Sequence, residues 1–270
     1  MNTLIVKIGG NIIDDPAALK RFLEDFTKLA GAKILVHGGG KLATDMLTKL
    51  HIPVNMHEGR RITDAETLKI CTMVYAGWIN KSIVAQLQAL GCNAIGLSGA
   101  DANMLRAHRR PPEPVDFGFV GDVSAEAVDV SFLAALFEQG LCPVLCAVTH
   151  DEQGTLLNTN ADTIASTLSI ALSKAGFTKQ IICFEKDGVL SDINNPQSVI
   201  DEITEEDYAL LKEEGAITEG MIPKLEQAFA AIRAGVGEVH IKHARNLLSG
   251  KGTVVRKNDH GSDEDISAGR

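Results

Sequence analysis

The chain is poor in aromatic residues and in positive charge. Phenylalanine, tryptophan and tyrosine make up 4% of its 270 residues, and 26 lysines and arginines face 35 aspartates and glutamates, for a net charge of -9. A nucleic-acid partner requires a basic surface and often base-stacking rings, and an anionic membrane surface requires the same basic charge. The composition therefore predicts neither partner, and any phosphate-binding site must be a local patch.

The chain also lacks long apolar runs and paired cysteines. Its first residues, MNTLIVKIGGN, have no basic stretch and are interrupted by Lys7 and two glycines, so they do not predict a signal peptide. No later run approaches the roughly 20 residues of a membrane-spanning helix. The five cysteines form no C-x-x-C pair and lie mostly inside apolar runs, which is typical of buried thiols in a reducing compartment. We therefore expect a cytoplasmic protein.

What the sequence does contain is an alternation of apolar strands and amphipathic helices. A strand over 4–8 precedes a helix over 16–30, which Asp14 or Asp15 can cap ahead of Pro16. A second strand and helix follow at once, and both strands are nearly all apolar. Two such units in succession predict an α/β fold with a mainly parallel sheet covered on both faces.

The segment 33–45, KILVHGGGKLATD, is central to the prediction of a site. It indicates a buried strand that ends in three glycines and opens directly into a helix. Unpaired backbone N–H groups and the positive end of the helix then point at one spot, which suits an anion. Gly38, Gly40 and Ala43, with Glu58 about 20 residues beyond Gly38, also fit a dinucleotide-binding fingerprint. A nicotinamide-dependent enzyme is therefore one hypothesis.

Charged side chains lie beside two other predicted turns. Lys7 comes near the end of the first strand, next to Gly9 and Gly10, and is either an edge lysine or a ligand of a phosphate. Arg60 and Arg61 precede a predicted helix. Paired arginines in that position are either surface charge or a two-pronged grip on a carboxylate.

Two later segments carry more polar groups than local structure requires. Asn158, Asn160 and Asp162 precede a helix, and because one residue suffices for an N-cap, the excess indicates a site. Further on, Gly220 permits close approach of the backbone to a ligand, and Lys224 lies one turn into the next helix.

Weaker patterns predict the remaining elements. A capping box between Thr63 and Glu66 would open a long helix over 64–90. The segment 117–123 alternates in character and predicts a strand or hairpin arm. The last residues, 257–270, are polar and charged, and we expect a disordered tail there.

Five separated elements, in this order, resemble the motifs of the amino acid kinase family, and most closely those of its branch that phosphorylates N-acetyl-L-glutamate. They are KIGG at 7–10, VHGGG at 36–40, GRRIT at 59–63, NTNAD at 158–162 and GMIPK at 220–224. The turn GLSGAD at 96–101 and the segment 117–123 also match. The resemblance covers nearly the whole chain up to about residue 256, and five motifs in register make it specific.

The resemblance implies a three-layer α/β/α sandwich with a mainly parallel central sheet over residues 1–256. An N-terminal lobe, about 1–175, would bind the acylated amino acid and form a dimer, and a C-terminal lobe, about 176–256, would bind ATP. The implied reaction transfers the γ-phosphoryl group of ATP to the side-chain carboxylate of N-acetyl-L-glutamate, in arginine biosynthesis. The sequence shows no dedicated carboxylate cage, so Mg²⁺ would be held mainly by phosphates.

The resemblance also assigns roles to single residues. Lys7 and Lys224 would bind the phosphoryl group in transit, and Asp162 would orient both lysines. The acyl amino acid would be held by Gly39, Gly40, Arg61, Asn158 and Asn160. ATP would meet Gly9, Gly10, Glu185, Asp187, Gly188, Leu190, Ile217, Thr218 and Gly220. Because a carboxylate acceptor is already ionised at neutral pH, no general base is required.

The sequence leaves alternatives open. Glu185 and Ala100 differ from the residues usual in relatives, so a kinase of the same fold that acts on N-succinylglutamate or another N-acyl amino acid is the main alternative. A catalytically silent ligand-binding homologue is disfavoured by the presence of both lysines and Asp162. The first strand begins almost at Met1, which leaves no room for the N-terminal helix of arginine-inhibited hexameric members. We therefore expect a homodimer that arginine does not inhibit.

Overall fold

A computed structural model describes residues 2–176, 178–192, 194–195, 197–217 and 221–257. Its strands are β1 (Thr3–Ile8), β2 (Ala32–His37), β3 (Met56–His57), β4 (Arg60–Arg61), β5 (Ala94–Leu97), β6 (His108–Arg109), β7 (Gly121–Asp122), β8 (Cys142–Cys146), β9 (Val148–His150), β10 (Leu156–Asn158), β11 (Thr178–Phe184), β12 (Glu202–Ile203), β13 (Glu238–His243) and β14 (Thr253–Val255). Its α-helices are α1 (Gly10–Ile13), α2 (Pro16–Lys28), α3 (Gly40–Lys49), α4 (Ala65–Thr72), α5 (Asn80–Ala89), α6 (Val130–Glu138), α7 (Ala161–Ser173), α8 (Glu205–Glu213) and α9 (Ile222–Arg233). The predicted tail lies outside the described residues, except for Lys257.

Eight strands form one central sheet, in the order β12-β14-β13-β11-β1-β2-β8-β5. All neighbours run parallel except β13 and β14, which are antiparallel. β2 lies on one side of β1 and β11 on the other, so the direction in which the sheet is built reverses at β1. Ligands of such sheets bind at the carboxyl ends of the strands beside the reversal. In this chain that place is the end of β1, where Lys7 lies.

Helices cover the sheet and produce the predicted three layers. The central strands β1, β2 and β8 are buried along nearly their whole length, as expected of parallel strands with helices on both faces. α2 packs against α5, and α7 packs against α9. Within the described part of the chain, every helix is too short or too polar to cross a membrane.

Buried apolar side chains form two clusters. The larger cluster surrounds β1, β2, β5 and β8 and the helices beside them. The smaller cluster is built from residues between Ile182 and Val255, with α9 and β13 as its main contributors. Four of the five cysteines are buried as predicted, and Cys92 is partly exposed.

Of two predicted helix N-caps, the structure confirms one and contradicts the other. Asp15 caps α2 by accepting from the backbone N–H groups of Ala17 and Ala18, at 2.9 and 3.0 Å. The predicted capping box between Thr63 and Glu66 is wrong, because Asp64 caps α4 instead. The backbone of Thr63 is already hydrogen-bonded to the segment 117–119, which places its side chain away from the helix start.

The predicted long helix over 64–90 and the predicted strand or hairpin arm over 117–123 both exist, but their internal structure differs from the prediction. Residues 65–89 are helical throughout, but Met73–Ile79 form a π-helical segment between α4 and α5. In the segment 117–123 only Gly121–Asp122 form a strand, paired with His108–Arg109. The chain turns at Gly118, which has a φ of +71° and approaches the carbonyl oxygen of Thr63 so closely that a Cβ would lie 2.2 Å from it.

Candidate active site

A cleft of about 260 Å³ opens at the carboxyl ends of β1 and β2, where the sheet reverses direction. Four of the five sequence motifs meet there, although they are spread over more than 150 residues of chain. The predicted site residues that line the cleft are Lys7, Gly10, Gly39, Gly40, Arg61, Asn158, Asn160 and Asp162. Gly10, which is predicted to meet ATP, is thus part of the lining. Lys224 and the other described residues predicted to meet ATP do not line the cleft, namely Gly9, Glu185, Asp187, Gly188, Leu190 and Ile217.

Lys7 and Asp162 form an ion pair inside the cleft. The Lys7 Nζ lies 2.9 Å from Asp162 Oδ1 and 3.0 Å from Oδ2, and the two side chains are 11% and 19% exposed. Lys7 comes from the end of β1, and Asp162 from the first turn of α7, where the helix dipole favours a carboxylate. The pair therefore holds an ammonium group at a fixed position beside the Gly9–Gly10 turn.

The glycine turn after β2 is pressed against the π-helical segment. Gly39 has a φ of +153°, and a Cβ there would lie 2.2 Å from Ile79 Cδ1 and 3.1 Å from the ring of Tyr75. Gly40 then begins α3, so the amino terminus of that helix faces the cleft as predicted. The dinucleotide hypothesis is wrong, because Glu58 lies in the exposed turn between β3 and β4 and not at the end of a strand beside β2.

His37 supports the turn from beneath and stays neutral. Its ring is fully buried, with Nδ1 2.9 Å from the carbonyl oxygen of Gly38 and Nε2 3.1 Å from the Asn80 amide, which also donates to Val144. Burial lowers the pKa of His37 from 6.5 to about 4, against the opposing effect of the Gly38 hydrogen bond. A neutral imidazole can donate to Gly38 and accept from Asn80, so it orients the turn without adding charge.

We expect His37 to make the protein less stable in mild acid. The unfolded chain binds a proton at His37 below about pH 6.5, whereas the folded chain does so only near pH 4, so stability is lost as the pH falls from 6.5 to 4. The integrated contribution is about 3 kcal/mol. Urea unfolding at several pH values gives the free energy of unfolding as a function of pH. This free energy should fall between pH 6.5 and 4 in the natural chain and fall less steeply with pH in His37→Gln. An equal pH dependence in the two proteins would contradict the assignment.

Arg61 offers an unpartnered donor in the same cleft. Its Nη2 donates to the carbonyl oxygen of Gly40 at 2.9 Å and to the hydroxyl of Thr44 at 2.7 Å. Its Nη1 is buried and has no hydrogen-bond partner among the residues that the structure describes. A buried guanidinium N–H without a partner is costly, and a carboxylate is the group that satisfies it best. Arg61 can therefore donate to an anionic group that enters the cleft.

The polar segment 158–162 divides its side chains among separate tasks. Asn160 is the N-cap of α7, accepting from the N–H of Thr163 at 3.0 Å. Asn158 donates its amide to the hydroxyl of Thr63 at 3.0 Å, which ties this segment to the motif 59–63. Asp162 holds Lys7. The excess of polar groups noted in the sequence is thus explained partly by capping and partly by the cleft.

Sequence reasoning missed an ion pair and an aromatic residue at the cleft. Arg110 and Asp122 pair side by side across the β6–β7 ribbon, with Arg110 Nε 3.1 Å from Asp122 Oδ2, and the guanidinium lies over the ring of Phe117. Tyr75 reaches the cleft from the π-helical segment. The two-residue strands and the π-helical turn leave no periodic signal, so only the basic character of the segment around Arg110 could have drawn attention to it.

Four of the residues predicted to meet ATP follow β11 along the chain, namely Glu185, Asp187, Gly188 and Leu190. The backbone N–H of Gly9 donates to the carbonyl oxygen of Cys183 at 3.0 Å, which joins the first glycine turn to this strand. Glu185 follows β11 in an exposed turn. Burial alone raises the pKa of Asp187, but hydrogen bonds and charge from Arg245 hold it below its usual range.

The other predicted nucleotide residues differ in accessibility. Gly188 is buried, and a Cβ there would lie 2.7 Å from the hydroxyl of Thr253. Leu190 is half-buried and bridges to Val199. The side chain of Ile217 is buried in the smaller cluster, so it can meet a nucleotide only through its backbone. Thr218 and Gly220 lie outside the described residues, and Lys224 lies in the first turn of α9, which packs against α7.

Comparison with known proteins supports the motif assignment. The model of the amino acid kinase family matches residues 2–243. An acetylglutamate kinase of Phocaeicola vulgatus is 52% identical over 253 residues, which cover 94% of this chain and 98% of that protein. An acetylglutamate kinase of Cytophaga hutchinsonii is 54% identical over 245 residues, or 90% of this chain and 92% of that protein. In structure, smu.665 from Streptococcus mutans UA159 matches with a TM-score of 0.75 and 26% identity, over 94% of this chain and 98% of that chain.

Proposed function

The chain belongs to the amino acid kinase family, and on that basis we propose that it transfers the γ-phosphoryl group of ATP to the side-chain carboxylate of N-acetyl-L-glutamate. The product is an acyl phosphate, and the reaction is a step of arginine biosynthesis, carried out in the cytoplasm. The observation that carries the proposal is the Lys7–Asp162 ion pair in a cleft that also holds the unpartnered Nη1 of Arg61.

The charges of the cleft suit an anion-to-anion transfer. An ionised carboxylate needs no base to attack, so the barrier comes from bringing it to a polyphosphate. Lys7 would neutralise charge on the transferred phosphoryl group, and Arg61 would hold the second carboxylate of the acceptor. Lys224 would approach from α9 on the nucleotide side. The neutral His37 fits this scheme, because its part is to orient the Gly38 carbonyl.

ATP would bind where the Gly9 turn meets the end of β11, in the C-terminal lobe that the smaller apolar cluster supports. Mg²⁺ would enter on the phosphate oxygens and neutralise part of their charge. The two carboxylates that line the cleft, Asp122 and Asp162, are each already paired with a cation, which fits a metal ion held by the nucleotide and water.

The direct test is an acyl phosphate assay. Mg-ATP is incubated with N-acetylglutamate, N-succinylglutamate, N-acetylaspartate or no acceptor, and the acyl phosphate is trapped with hydroxylamine while ADP is measured. We expect ADP and hydroxamate in equal amounts with N-acetylglutamate and neither without acceptor. Faster turnover of N-succinylglutamate would identify that compound as the acceptor, and no hydroxamate with any acceptor would refute the kinase proposal.

We propose a homodimer formed through the π-helical segment. Met73 and Trp78 are 65% and 72% exposed on this segment, whereas Tyr75 and Ile79 on its other side pack against Gly39. Two large apolar side chains exposed one helical turn apart are typical of an interface. A second copy bound there would cover them and brace the segment that supports the glycine turn.

Replacing Trp78 with glutamate should convert the dimer into a monomer, because the interface would then bury an unpaired charge. Sedimentation equilibrium measures the mass directly. Leu210→Glu is the matched control, since Leu210 is 59% exposed on α8, away from this segment. A monomeric natural chain, or a Trp78→Glu variant that stays dimeric, would contradict the proposed interface.

A further inference from the structure

A second cavity, of about 230 Å³, lies at the amino ends of the sheet strands, whereas the cleft lies at their carboxyl ends. It is formed at the amino ends of three neighbouring strands, by Lys33 of β2, Cys92 just ahead of β5, and Cys142 at the start of β8. The phosphoryl-transfer scheme uses none of these residues. Two cysteines and a lysine thus lie around one cavity, and a neighbouring cation is one of the features that make a cysteine reactive.

The backbone holds the two thiols next to each other. Ala94 pairs with Cys142 in the parallel ladder, and the N–H of Cys142 donates to the carbonyl oxygen of Asn93 at 2.8 Å. Cys92 lies two residues ahead of Ala94, so the two cysteines lie at the same end of neighbouring strands and line the same cavity. Cys142 is buried, whereas Cys92 is partly exposed at the cavity. The pair thus has one accessible sulfur and one sheltered sulfur.

The Cys142 thiol has two acceptors between which it can turn. Its Sγ lies 3.5 Å from the carbonyl oxygen of Lys33, to which it donates. A thiol has a single proton, so when Cys92 ionises this proton can turn to the Cys92 sulfur instead. That hydrogen bond, followed by the charge of Lys33, outweighs burial and lowers the pKa of Cys92 to about 7. The same hydrogen bond and burial raise the pKa of Cys142.

The ammonium group that favours the Cys92 thiolate is fixed in place. Lys33 Nζ donates to the carbonyl oxygens of Phe26, Thr27 and Leu29 at the end of α2, over distances of 2.6 to 3.0 Å. It therefore caps a helix and cannot swing into solvent. The remaining cysteines offer an internal comparison, because burial raises the pKa of both Cys146 and Cys183 to about 12.

We propose that Cys92 and Cys142 form a peroxide-sensitive dithiol site. The Cys92 thiolate attacks the terminal oxygen of a hydroperoxide, the O–O bond breaks, and the sulfur becomes a sulfenic acid as an alcohol or water leaves. The Cys142 sulfur then attacks the sulfenic sulfur, a disulfide forms, and the hydroxyl group leaves as water with the Cys142 proton. Two electrons pass from the two thiols to the peroxide, and cellular thiols can reverse the reaction by exchange.

The disulfide would join the turn before β5 to the first residue of β8. It would close a loop of about 50 residues, which restricts the unfolded chain and raises the unfolding temperature. In a reducing compartment such a bond is transient, so it would act as a reversible response to peroxide. The cleft lies at the carboxyl ends of the strands, so the proposal does not depend on the function assigned to it.

The test uses the unmodified full-length chain. Reduced protein is treated with an equimolar amount of hydrogen peroxide, free thiols are blocked with iodoacetamide, and the peptides are mapped by mass spectrometry. We expect a Cys92–Cys142 cross-link that dithiothreitol reverses, with Cys71, Cys146 and Cys183 alkylated only after unfolding. The oxidised protein should unfold several degrees higher than the reduced protein.

Two variants separate the proposed roles. In Cys142→Ser, dimedone should trap a sulfenic acid at Cys92, and in Cys92→Ser the same peroxide treatment should leave Cys142 reduced. The rate of Cys92 alkylation should rise with a midpoint near pH 7. A Cys92 that reacts no faster than the buried thiols, or an oxidised chain without this cross-link, would overturn the proposal.

Discussion

Replacing Lys7 with methionine is expected to lower kcat by about 10²- to 10³-fold, while the KM values for ATP and the acyl amino acid change by less than about tenfold. The methionine side chain has similar length but no charge. Contacts to the transferred phosphoryl group strengthen as charge develops in the transition state, so their loss appears in kcat. Steady-state measurement of acyl phosphate formation with both substrates varied provides the separate constants.

Part of that loss comes from the carboxylate that Lys7 leaves behind. Asp162 is mostly buried and would stay in the cleft without its partner, where it repels the phosphates. The double variant Lys7→Met with Asp162→Asn should therefore recover part of the lost rate, and the two changes should not be additive. Lys41→Met is the control, because Lys41 is an exposed lysine directly after Gly40. A Lys7→Met enzyme with near-normal kcat would show that Lys7 does not contact the transferred group.

The alternation of strands and helices could be predicted from the sequence because it depends on the spacing of apolar residues. The two first strand-helix units and their glycine turns are local patterns, and each was found within a few residues of its observed bounds. Lys7 and Asp162 are 155 residues apart, and only the family motifs linked them. The fold explains the link, since β1 and α7 pack together beside the sheet reversal.

The features that escaped prediction share a physical origin. The π-helical segment differs from an α-helix by hydrogen-bond register, which the apolar spacing does not reveal. The β6–β7 ribbon consists of two residues on each side, too few to show alternation, so the Arg110–Asp122 pair could not be foreseen. The capping error has the same cause: tertiary hydrogen bonds to the segment 117–119 took Thr63 out of the local pattern.

The cleft concentrates positive charge in an acidic protein. The chain as a whole carries a net charge of -9. Among the described residues, four cationic side chains and two carboxylates line the cleft, namely Lys7, Arg60, Arg61 and Arg110 against Asp122 and Asp162. Because each carboxylate is paired with one of the cations, two arginines remain to meet an anionic ligand. An acidic protein can therefore bind an anion through a local patch of positive charge, which is the kind of site that the composition predicts.

Of these arginines, Arg61 is expected to have the larger effect on substrate binding. Arg61→Lys should raise the KM for the acyl amino acid by about 10- to 100-fold, because lysine keeps the charge but loses the rigid fork. Arg61 Nη2 is occupied by Gly40 and Thr44, and the buried Nη1, which has no partner among the described residues, is left for the ligand. One ammonium group cannot reproduce both sets of contacts.

The Arg61 prediction is specific because the KM for one substrate should change much more than the KM for the other. The KM for ATP should stay within about threefold of the natural value, and kcat should fall less than KM rises, since the contact is made in both the bound substrate and the transition state. Arg109→Lys is the matched control: Arg109 lies on the neighbouring ribbon, donates to the carbonyl oxygen of Gly118, and does not line the cleft. If Arg61→Lys raised the KM for ATP instead, the anion at Nη1 would be a phosphate of the nucleotide, and the acceptor carboxylate would have to bind elsewhere in the cleft.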